Sequence, residues 1–148
     1  MRLSQKTHYA LRAVLELALR YGEGPVKVAD IAAAQDIPPR FLEMILHQLK
    51  PVLVDSRRGV DGGYLLMRDP ATLTVGEVLR AVQGPASTGS ADEAGSGRPG
   101  RLNSEGVFAP LWRRAEEAVQ SIYDGTTFRA LAEQEAIRRQ GSEGDYSI

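Results

Sequence analysis

The sequence contains no cysteine in its 148 residues. This absence excludes disulfide bonds, catalysis by a thiolate, zinc fingers, and iron–sulfur clusters that are held by cysteine. The remaining candidate metal ligands, His8 together with Asp92 and Glu93, show no spacing that is typical of a metal site. We therefore predict a protein that carries no metal ion and no cofactor.

Long apolar runs are also missing. No window approaches the roughly 18 apolar residues that a membrane-spanning helix needs. The apolar stretch near the N-terminus is interrupted at helical spacing by Arg12, Glu16 and Arg20, which indicates an amphipathic helix rather than a secretory signal. We therefore expect a cytoplasmic protein without a membrane partner.

Catalytic motifs are absent as well. The sequence offers no recognisable pair of nucleophile and base, and no metal-ligand spacing. The glycines of residues 59–63 are not followed by the lysine and hydroxyl residue that complete a phosphate-binding loop. We predict that the protein is not an enzyme.

The net charge is only −1, but it is unevenly distributed. Residues 1–68 hold ten lysines and arginines against seven acidic residues, whereas residues 69–148 hold eight against twelve. Phosphate groups respond to the local field rather than to the total charge. The basic N-terminal half is therefore the part of the chain that is suited to nucleic acid.

The length allows one modest domain and an appendage. Ser4 is placed to cap a first helix that runs to about Tyr21 and is closed by Gly22. Apolar side chains recur along it at helical spacing and predict a buried stripe, made of Leu11, Val14, Leu15 and Ala18.

Two further helices are predicted around a tight turn. Residues 28–35 read as a short helix, residues 36–39 as the turn, and residues 39–50 as a third helix. Pro39 suits the first position of that helix, where a backbone N–H would have no partner anyway. The third helix is apolar on one side and polar on the other, with Leu42, Ile45, Leu46 and Leu49 opposite Arg40, Glu43, Met44 and His47.

A short β-hairpin follows. Residues 52–54 and 64–67 have the composition of strands, and Arg57-Arg58-Gly59 lies in the turn region between them. Gly62-Gly63 and Tyr64 are expected to be structural, with Tyr64 packing on the third helix. A capping box, Thr74 to Glu77, then opens a fourth helix. This order predicts a winged helix-turn-helix domain over residues 1–83, so that the fold is mainly α with a small β-hairpin.

The C-terminal half has a different character. Residues 84–106 are rich in glycine, serine and proline, and predict a flexible loop. Residues 107–139 are predicted to form dimerisation helices, followed by a loose tail over residues 140–148. The helix after the loop carries a heptad seam spaced four, three, four, three, made of Phe108, Trp112, Ala115, Val119 and Ile122. Phe108 and Trp112 are alternatively candidates to line a ligand pocket.

The segment from Arg58 to Leu66, RGVDGGYLL, resembles the RGxxGGYxL signature of the Rrf-two family of bacterial transcriptional regulators. The opening residues 1–12 and the segment Thr74 to Glu77 are similar to the corresponding parts of that family, and the similarity extends over residues 1–85. The resemblance implies a homodimer, expected to be a repressor, in which two winged helices read a palindromic operator in double-stranded DNA. It also implies that the start of the third helix faces the major groove.

Two departures from the family pattern limit what the resemblance implies. Many members carry three cysteines after the fourth helix, which hold an iron–sulfur cluster, and the equivalent residues 86–105 contain none. Sensing through a cluster is therefore not expected, although some members supply a non-cysteine ligand near the position of His8. Pro38 and Arg40 stand where members commonly have small hydroxyl residues, which predicts a different operator sequence.

The physical chemistry of the third helix and the wing supports DNA contact. Arg40 is able to bind guanine O6 and N7, Glu43 to accept a hydrogen bond from cytosine, and Arg58 to enter a narrow minor groove. The predicted DNA-binding residues are Lys6, Lys27, Pro39, Arg40, Phe41, Glu43, Met44, His47, Lys50, Arg57, Arg58 and Gly59. Among these, the three lysines are candidates for phosphate contacts.

Less specific interpretations stay open at this point. Arg40 and Glu43 are also placed to form a surface ion pair, and Arg57 and Arg58 to keep a sheet edge soluble. The whole unit is alternatively a protein-interaction module in which Phe41 and Met44 anchor a partner. The regulatory signal is also open among a small molecule, a protein effector and constitutive binding.

Overall fold

The computed structural model describes residues 3–83 and 106–145. Within these ranges the chain forms six α-helices, one 3₁₀ turn and one antiparallel hairpin. In chain order they are α1 (Gln5–Leu19), α2 (Val28–Gln35), α3 (Pro39–Leu49), β1 (Val54–Arg57), β2 (Gly63–Leu66), the 3₁₀ turn (Pro70–Thr72), α4 (Val75–Gln83), α5 (Phe108–Gly125) and α6 (Phe128–Asp145). The predicted mainly α fold class is confirmed. No helix in the described ranges combines the length and apolar composition needed to span a bilayer.

Helix α1 is the centre of the fold, and α2, α3, α4 and α6 pack around it. Its first turn is capped as predicted, because the Ser4 hydroxyl accepts a hydrogen bond from the Thr7 N–H. The buried face is rotated from the predicted stripe and is made of Ala10, Ala13, Val14, Leu17 and Ala18. Leu11 and Leu15 are only half-buried. Leu11 and Leu15 line an open cleft beside Phe128 and Leu131 of α6, so this side of α1 is only partly covered.

The helix-turn-helix agrees closely with the prediction. Helix α2 ends at Gln35, and the next residue, Asp36, caps it in the left-handed conformation with φ of 51°. The next residue, Ile37, is buried, and its N–H donates to the Ala32 carbonyl at 3.0 Å. Pro39 occupies the first turn of α3. All four residues that were predicted to form the apolar side of α3 are buried, namely Leu42, Ile45, Leu46 and Leu49.

The first strand of the wing lies further along the chain than predicted. Residues 52–54 were expected to be extended, but Leu53 instead continues from α3, its N–H donating to the Leu49 carbonyl at 2.8 Å. Pairing begins at Val54, opposite Leu66, and ends at Arg57, opposite Gly63. Of the two apolar residues before Val54, only Leu53 is buried, and it belongs to the turn that follows α3 rather than to a strand.

The second strand is also joined to the segment that precedes α2. The Val26 N–H donates to the Tyr64 carbonyl, and the Tyr64 N–H donates to the Val26 carbonyl, both at 2.8 Å. Gly63 is required at this crossing, because its φ is 151° and a Cβ there would collide with the Val26 backbone. The hairpin is thus attached to the helix-turn-helix at the end of α3 and at the start of α2.

Helix α4 opens with the predicted capping box. The Thr74 N–H donates to the Glu77 carboxylate at 2.9 Å, and the Glu77 N–H donates to the Thr74 hydroxyl at 3.3 Å. Arg68 adds an ion pair to the same carboxylate, and together these contacts lower the pKa of Glu77 against the opposing effect of its burial. Most of the predicted loop, residues 84–105, lies outside the described ranges.

The two C-terminal helices have different environments. None of the side chains of α5 is buried, whereas α6 packs on α1 and its first residue, Phe128, is 1% exposed. Residues 140–145 are helical, which differs from the loose tail predicted for 140–148. The difference has a physical cause, because Arg139 is held by Glu16 of α1 and the helix is thereby supported close to its end. Helix α6 thus completes the core of the N-terminal domain rather than extending α5.

Candidate nucleic-acid interface

The polar side of α3 is fully available to solvent. Pro39, Arg40, Glu43, Met44 and His47 are all exposed, and so is Lys50 just beyond the helix. Met44 is 56% exposed even though it is apolar. A surface of mixed charged and apolar side chains on an exposed helix face has the chemistry that base edges in a major groove require.

The guanidinium of Arg40 has no carboxylate partner among the described residues. In particular, the alternative Arg40–Glu43 ion pair is not formed, although the two residues are three apart on the helix. Six other arginines of the described chain pair with acidic side chains, namely Arg20, Arg68, Arg80, Arg129, Arg138 and Arg139, whereas Arg12, Arg113 and Arg114 also have no ion pair there. The charge of Arg40 is therefore left unneutralised on the exposed face.

Phe41 differs from its neighbours on α3. It is half-buried, and its ring meets that of Tyr9 edge to face, with the centroids 5.6 Å apart at an interplanar angle of 76°. This contact ties the first turn of α3 to α1. Phe41 therefore has a packing role in addition to the DNA contact predicted for it, which stays a prediction.

The wing carries two exposed arginines. Arg57 is the last residue of β1, and Arg58 and Gly59 begin the turn. The Gly62 N–H donates to the Gly59 carbonyl at 3.0 Å and closes that turn. Neither arginine forms an ion pair with a described residue. Because the hairpin is attached at both ends to the helix-turn-helix, these charges are carried on a fixed support.

The lysines predicted to contact phosphate lie in different surroundings. Lys27 is exposed and lines a cleft together with Asp61 and Gly62 of the wing turn, so the structure brings it close to the wing. Asp30 lines the same cleft and reduces the local positive charge. Lys6 is half-buried at the start of α1.

A buried polar network, which the sequence did not reveal, lies behind the helix-turn-helix. The carboxylate of Glu16 is 1% exposed and accepts hydrogen bonds from Gln35 at 3.1 Å, from Arg20 at 3.1 Å and from Arg139 at 2.9 Å. Burial alone would raise the pKa of Glu16, but the hydrogen bonds from Arg139, Gln35 and Arg20 outweigh it and the pKa is lowered. The network joins α1, the end of α2 and α6.

The predicted heptad seam lies on the exposed surface of α5. Phe108 is 55% exposed, Trp112 56% and Ile122 66%, and the rings of Phe108 and Trp112 stack with centroids 6.1 Å apart. Leu111 adds to the same apolar surface at 48% exposure. Exposed apolar surface of this extent on one helix is typical of a contact with another protein surface.

The sequence and the fold both match a known family. A model of the Rrf2 family, described as iron-dependent transcriptional regulators, matches residues 3–134. The chain is 34% identical over 133 residues to the HTH-type transcriptional regulator CymR of Bacillus subtilis, a match that covers 89% of this chain and 90% of that protein. It is 35% identical over 138 residues to the regulator IscR of Klebsiella pneumoniae, covering 93% and 83%.

Solved structures agree with these sequence matches. The structure of CymR, the global cysteine regulator of B. subtilis, superposes with a TM-score of 0.74 at 31% identity and covers 90% of this chain and 98% of that one. IscR of T. potens superposes with a TM-score of 0.70 at 29% identity, covering 93% and 90%. The predicted family resemblance and winged-helix fold are confirmed. The chain therefore belongs to the Rrf2 family of DNA-binding transcriptional regulators.

Proposed function

We propose that this regulator is a homodimeric repressor that reads a palindromic operator without an iron–sulfur cluster. In this proposal α3 lies in the major groove, and Arg58 of the wing enters the adjacent minor groove. The observation that carries the proposal is the set of unneutralised arginines, Arg40, Arg57 and Arg58, on the polar helix face and on the wing that is attached to it.

Arg40 is the proposed source of base specificity. Its exposed position in the first turn of α3 suits a bidentate contact with guanine, which discriminates against other bases by about 1–3 kcal/mol. Glu43, one turn further along, would accept from a cytosine amino group and would repel a misplaced phosphate. The two side chains are free to act separately because they do not pair with each other.

Arg58 is the proposed reader of DNA shape. A narrow A·T-rich minor groove concentrates negative potential, and an arginine on a protruding turn responds to it. The double attachment of the hairpin, to Val26 and to Leu53, limits how far Arg58 is able to move relative to α3. Lys6, Lys27 and Lys50 would add phosphate contacts that strengthen binding without selecting sequence.

The residues present do not fit the cysteine-held iron–sulfur cluster of many relatives. The sequence has no cysteine, and no three or more histidine, aspartate and glutamate side chains in residues 3–83 and 106–142 are grouped to hold a metal ion. His8 is exposed on α1. We therefore propose that the protein binds its operator without a metal cluster, and that its control comes from a small molecule, from a protein effector or from its expression level alone.

The test is binding to DNA from upstream of the protein's own gene, measured by fluorescence anisotropy across a salt series with scrambled DNA as reference. We expect tighter binding to the native fragment, with a steep dependence on salt. The double variant Arg40→Ala/Arg58→Ala should lose about tenfold or more of that preference. The double variant Arg129→Ala/Arg138→Ala is a matched control, because it removes the same charge from exposed positions on α6.

Unchanged operator affinity in the Arg40→Ala/Arg58→Ala protein would contradict the proposed interface. Absence of binding to any DNA at low salt would instead favour the protein-interaction function, with Met44 as the first residue to substitute. Circular dichroism of each variant checks that the fold is retained.

A further inference from the structure

Helix α5 is held to the rest of the described chain near one end. None of its side chains is buried, and it packs beside α4. Its last turn and the following corner, residues 124–128, meet the start of α4, residues 73–80. We refer to these two segments together as the α4–α5 joint. The direction in which α5 leaves the winged-helix domain is set by this joint.

Main-chain hydrogen bonds connect the two sides of the joint. The Val75 N–H donates to the Thr126 carbonyl at 2.9 Å, and the Phe128 N–H donates to the Leu73 carbonyl at 2.9 Å. Thr74 and Thr127 are paired between these bonds as an antiparallel bridge. Immediately beyond the corner, the Phe128 ring is buried in the core. The corner is therefore fixed by its backbone and by an apolar anchor.

Side chains add a further contact between α4 and α5. Arg80 Nη1 lies 2.9 Å from Asp124 Oδ1, and the pair spans the two helices. Gly76 lies beneath this pair, and a Cβ at that position would collide with the Asp124 carboxylate. Glycine weakens a helix relative to alanine, and at this position in the first turn of α4 it leaves room for the Asp124 side chain.

We propose that the α4–α5 joint determines the half-site spacing that the dimer accepts, with Gly76, Arg80 and Asp124 as the specificity-determining residues. The inference rests on the proposed homodimer in which the two α5 helices pair. In such a dimer the path from one α3 to the other crosses the joint in each protomer. The angle at the joint therefore sets the distance and the rotation between the two recognition helices.

The effect of this angle is measurable because a change in half-site spacing both shifts and rotates one half-site relative to the other. Inserting two base pairs between half-sites moves one of them by about 7 Å and rotates it by about 70° about the helix axis. A fixed joint does not allow the second α3 to follow this movement. The wild-type dimer should therefore bind one spacing and lose at least tenfold in affinity when two base pairs are added or removed.

The experiment compares operators with the native spacing and with one or two base pairs added or removed. Arg80→Asp is expected to weaken the dependence of affinity on half-site spacing, so that the loss of affinity caused by two added base pairs becomes at least fivefold smaller. The exchanged pair Arg80→Asp/Asp124→Arg should restore the wild-type dependence. Gly76→Leu, which wedges the helices apart, should move the preferred spacing. The exchange Arg129→Glu/Glu133→Arg is the control, because that pair lies within α6 alone.

Two further measurements distinguish an effect on the joint angle from a general loss of structure or of dimerisation. Affinity for a single half-site and the dimer mass by sedimentation should be unchanged in Arg80→Asp, whose side chain is exposed, so that only the spacing profile responds. Suppose that the wild-type dimer binds its palindrome and that the Arg80→Asp protein has the same dependence of affinity on half-site spacing. That result would overturn this inference and leave the proposed dimer intact. A wild-type chain that is monomeric or ignores palindromes would overturn the proposed dimer and this inference with it.

Discussion

Glu16 is a buried carboxylate whose three hydrogen-bond partners lie at the end of α1, at the end of α2 and on α6. A buried charge is tolerated when it is fully hydrogen-bonded, and breaking such a network leaves its remaining members unsatisfied. Arg12 extends the contact outward through a long hydrogen bond of 3.5 Å to Gln35. One side chain thus connects the helix-turn-helix to the C-terminal helix.

The variant Glu16→Gln should lower the free energy of unfolding by about 1–3 kcal/mol at neutral pH, because it weakens these hydrogen bonds. The pKa of Glu16 is lowered in the folded protein from the ordinary value of 4.5. Its stabilising effect is therefore fully present above pH 4.5 and is lost as the pH falls through the lower, folded-state pKa. Urea unfolding of both proteins from pH 7 down to acid should show the difference shrinking at low pH.

Glu133→Gln is the control for this prediction. Glu133 forms an exposed pair with Arg129 within α6, and its loss should change stability by less than about 0.5 kcal/mol. A Glu16→Gln penalty that is the same at every pH would show that charge is not the cause.

At the scale of whole elements, α6 belongs structurally to the N-terminal domain. Its first residue is 1% exposed in the common core, and half-buried Leu131 and Ala132 pack beside it. Phe128→Ala should lower the free energy of unfolding by about 3–5 kcal/mol, because it removes a large buried ring and leaves a cavity. Urea unfolding followed by circular dichroism measures this.

Ile137→Ala on the same helix is the comparison, since Ile137 is 70% exposed. It should alter stability by less than about 0.5 kcal/mol. A comparably small effect of Phe128→Ala would mean that α6 does not stabilise the domain.

The elements that were predicted well are those with local signals. Pro39, the apolar spacing of α3 and the Thr74–Glu77 box each fix an element through residues a few positions apart, and these predictions agree with the structure. The position of β1 was predicted wrongly because the apolar character of Leu53 reflects its burial in the core beside the end of α3, and not a place in a strand. The burial of Glu16 was missed because Arg139, its partner, is 123 residues away in sequence.

The same contrast applies to the candidate site. The exposed face of α3 and the wing turn follow from local periodicity and from glycines, and the structure places them as expected. The double attachment of the wing and the α4–α5 joint depend on backbone pairing between distant segments, such as Val26 with Tyr64. No local pattern of residues in the sequence predicts this pairing between distant segments.

At the scale of the whole molecule, the exposed seam of α5 predicts assembly. Trp112→Glu would place a charge in the proposed dimer core, where its desolvation is unfavourable. We expect the variant to sediment as a monomer, to keep its affinity for a half-site, and to lose most of its affinity for the full operator. Glu117→Gln, an exposed change on the same helix, is the control. A Trp112→Glu protein that remains dimeric would rule out this seam as the interface.

The return of α6 to the core also has a consequence for the order of events during synthesis. A ribosome makes α1 to α4 first, then α5, and only afterwards Phe128 and the rest of α6, which close the core around α1. The nascent winged helix is therefore incomplete until α5, the proposed dimerisation helix, has already emerged. Folding of the DNA-reading unit thus finishes at a stage when α5 is already available to meet a second chain.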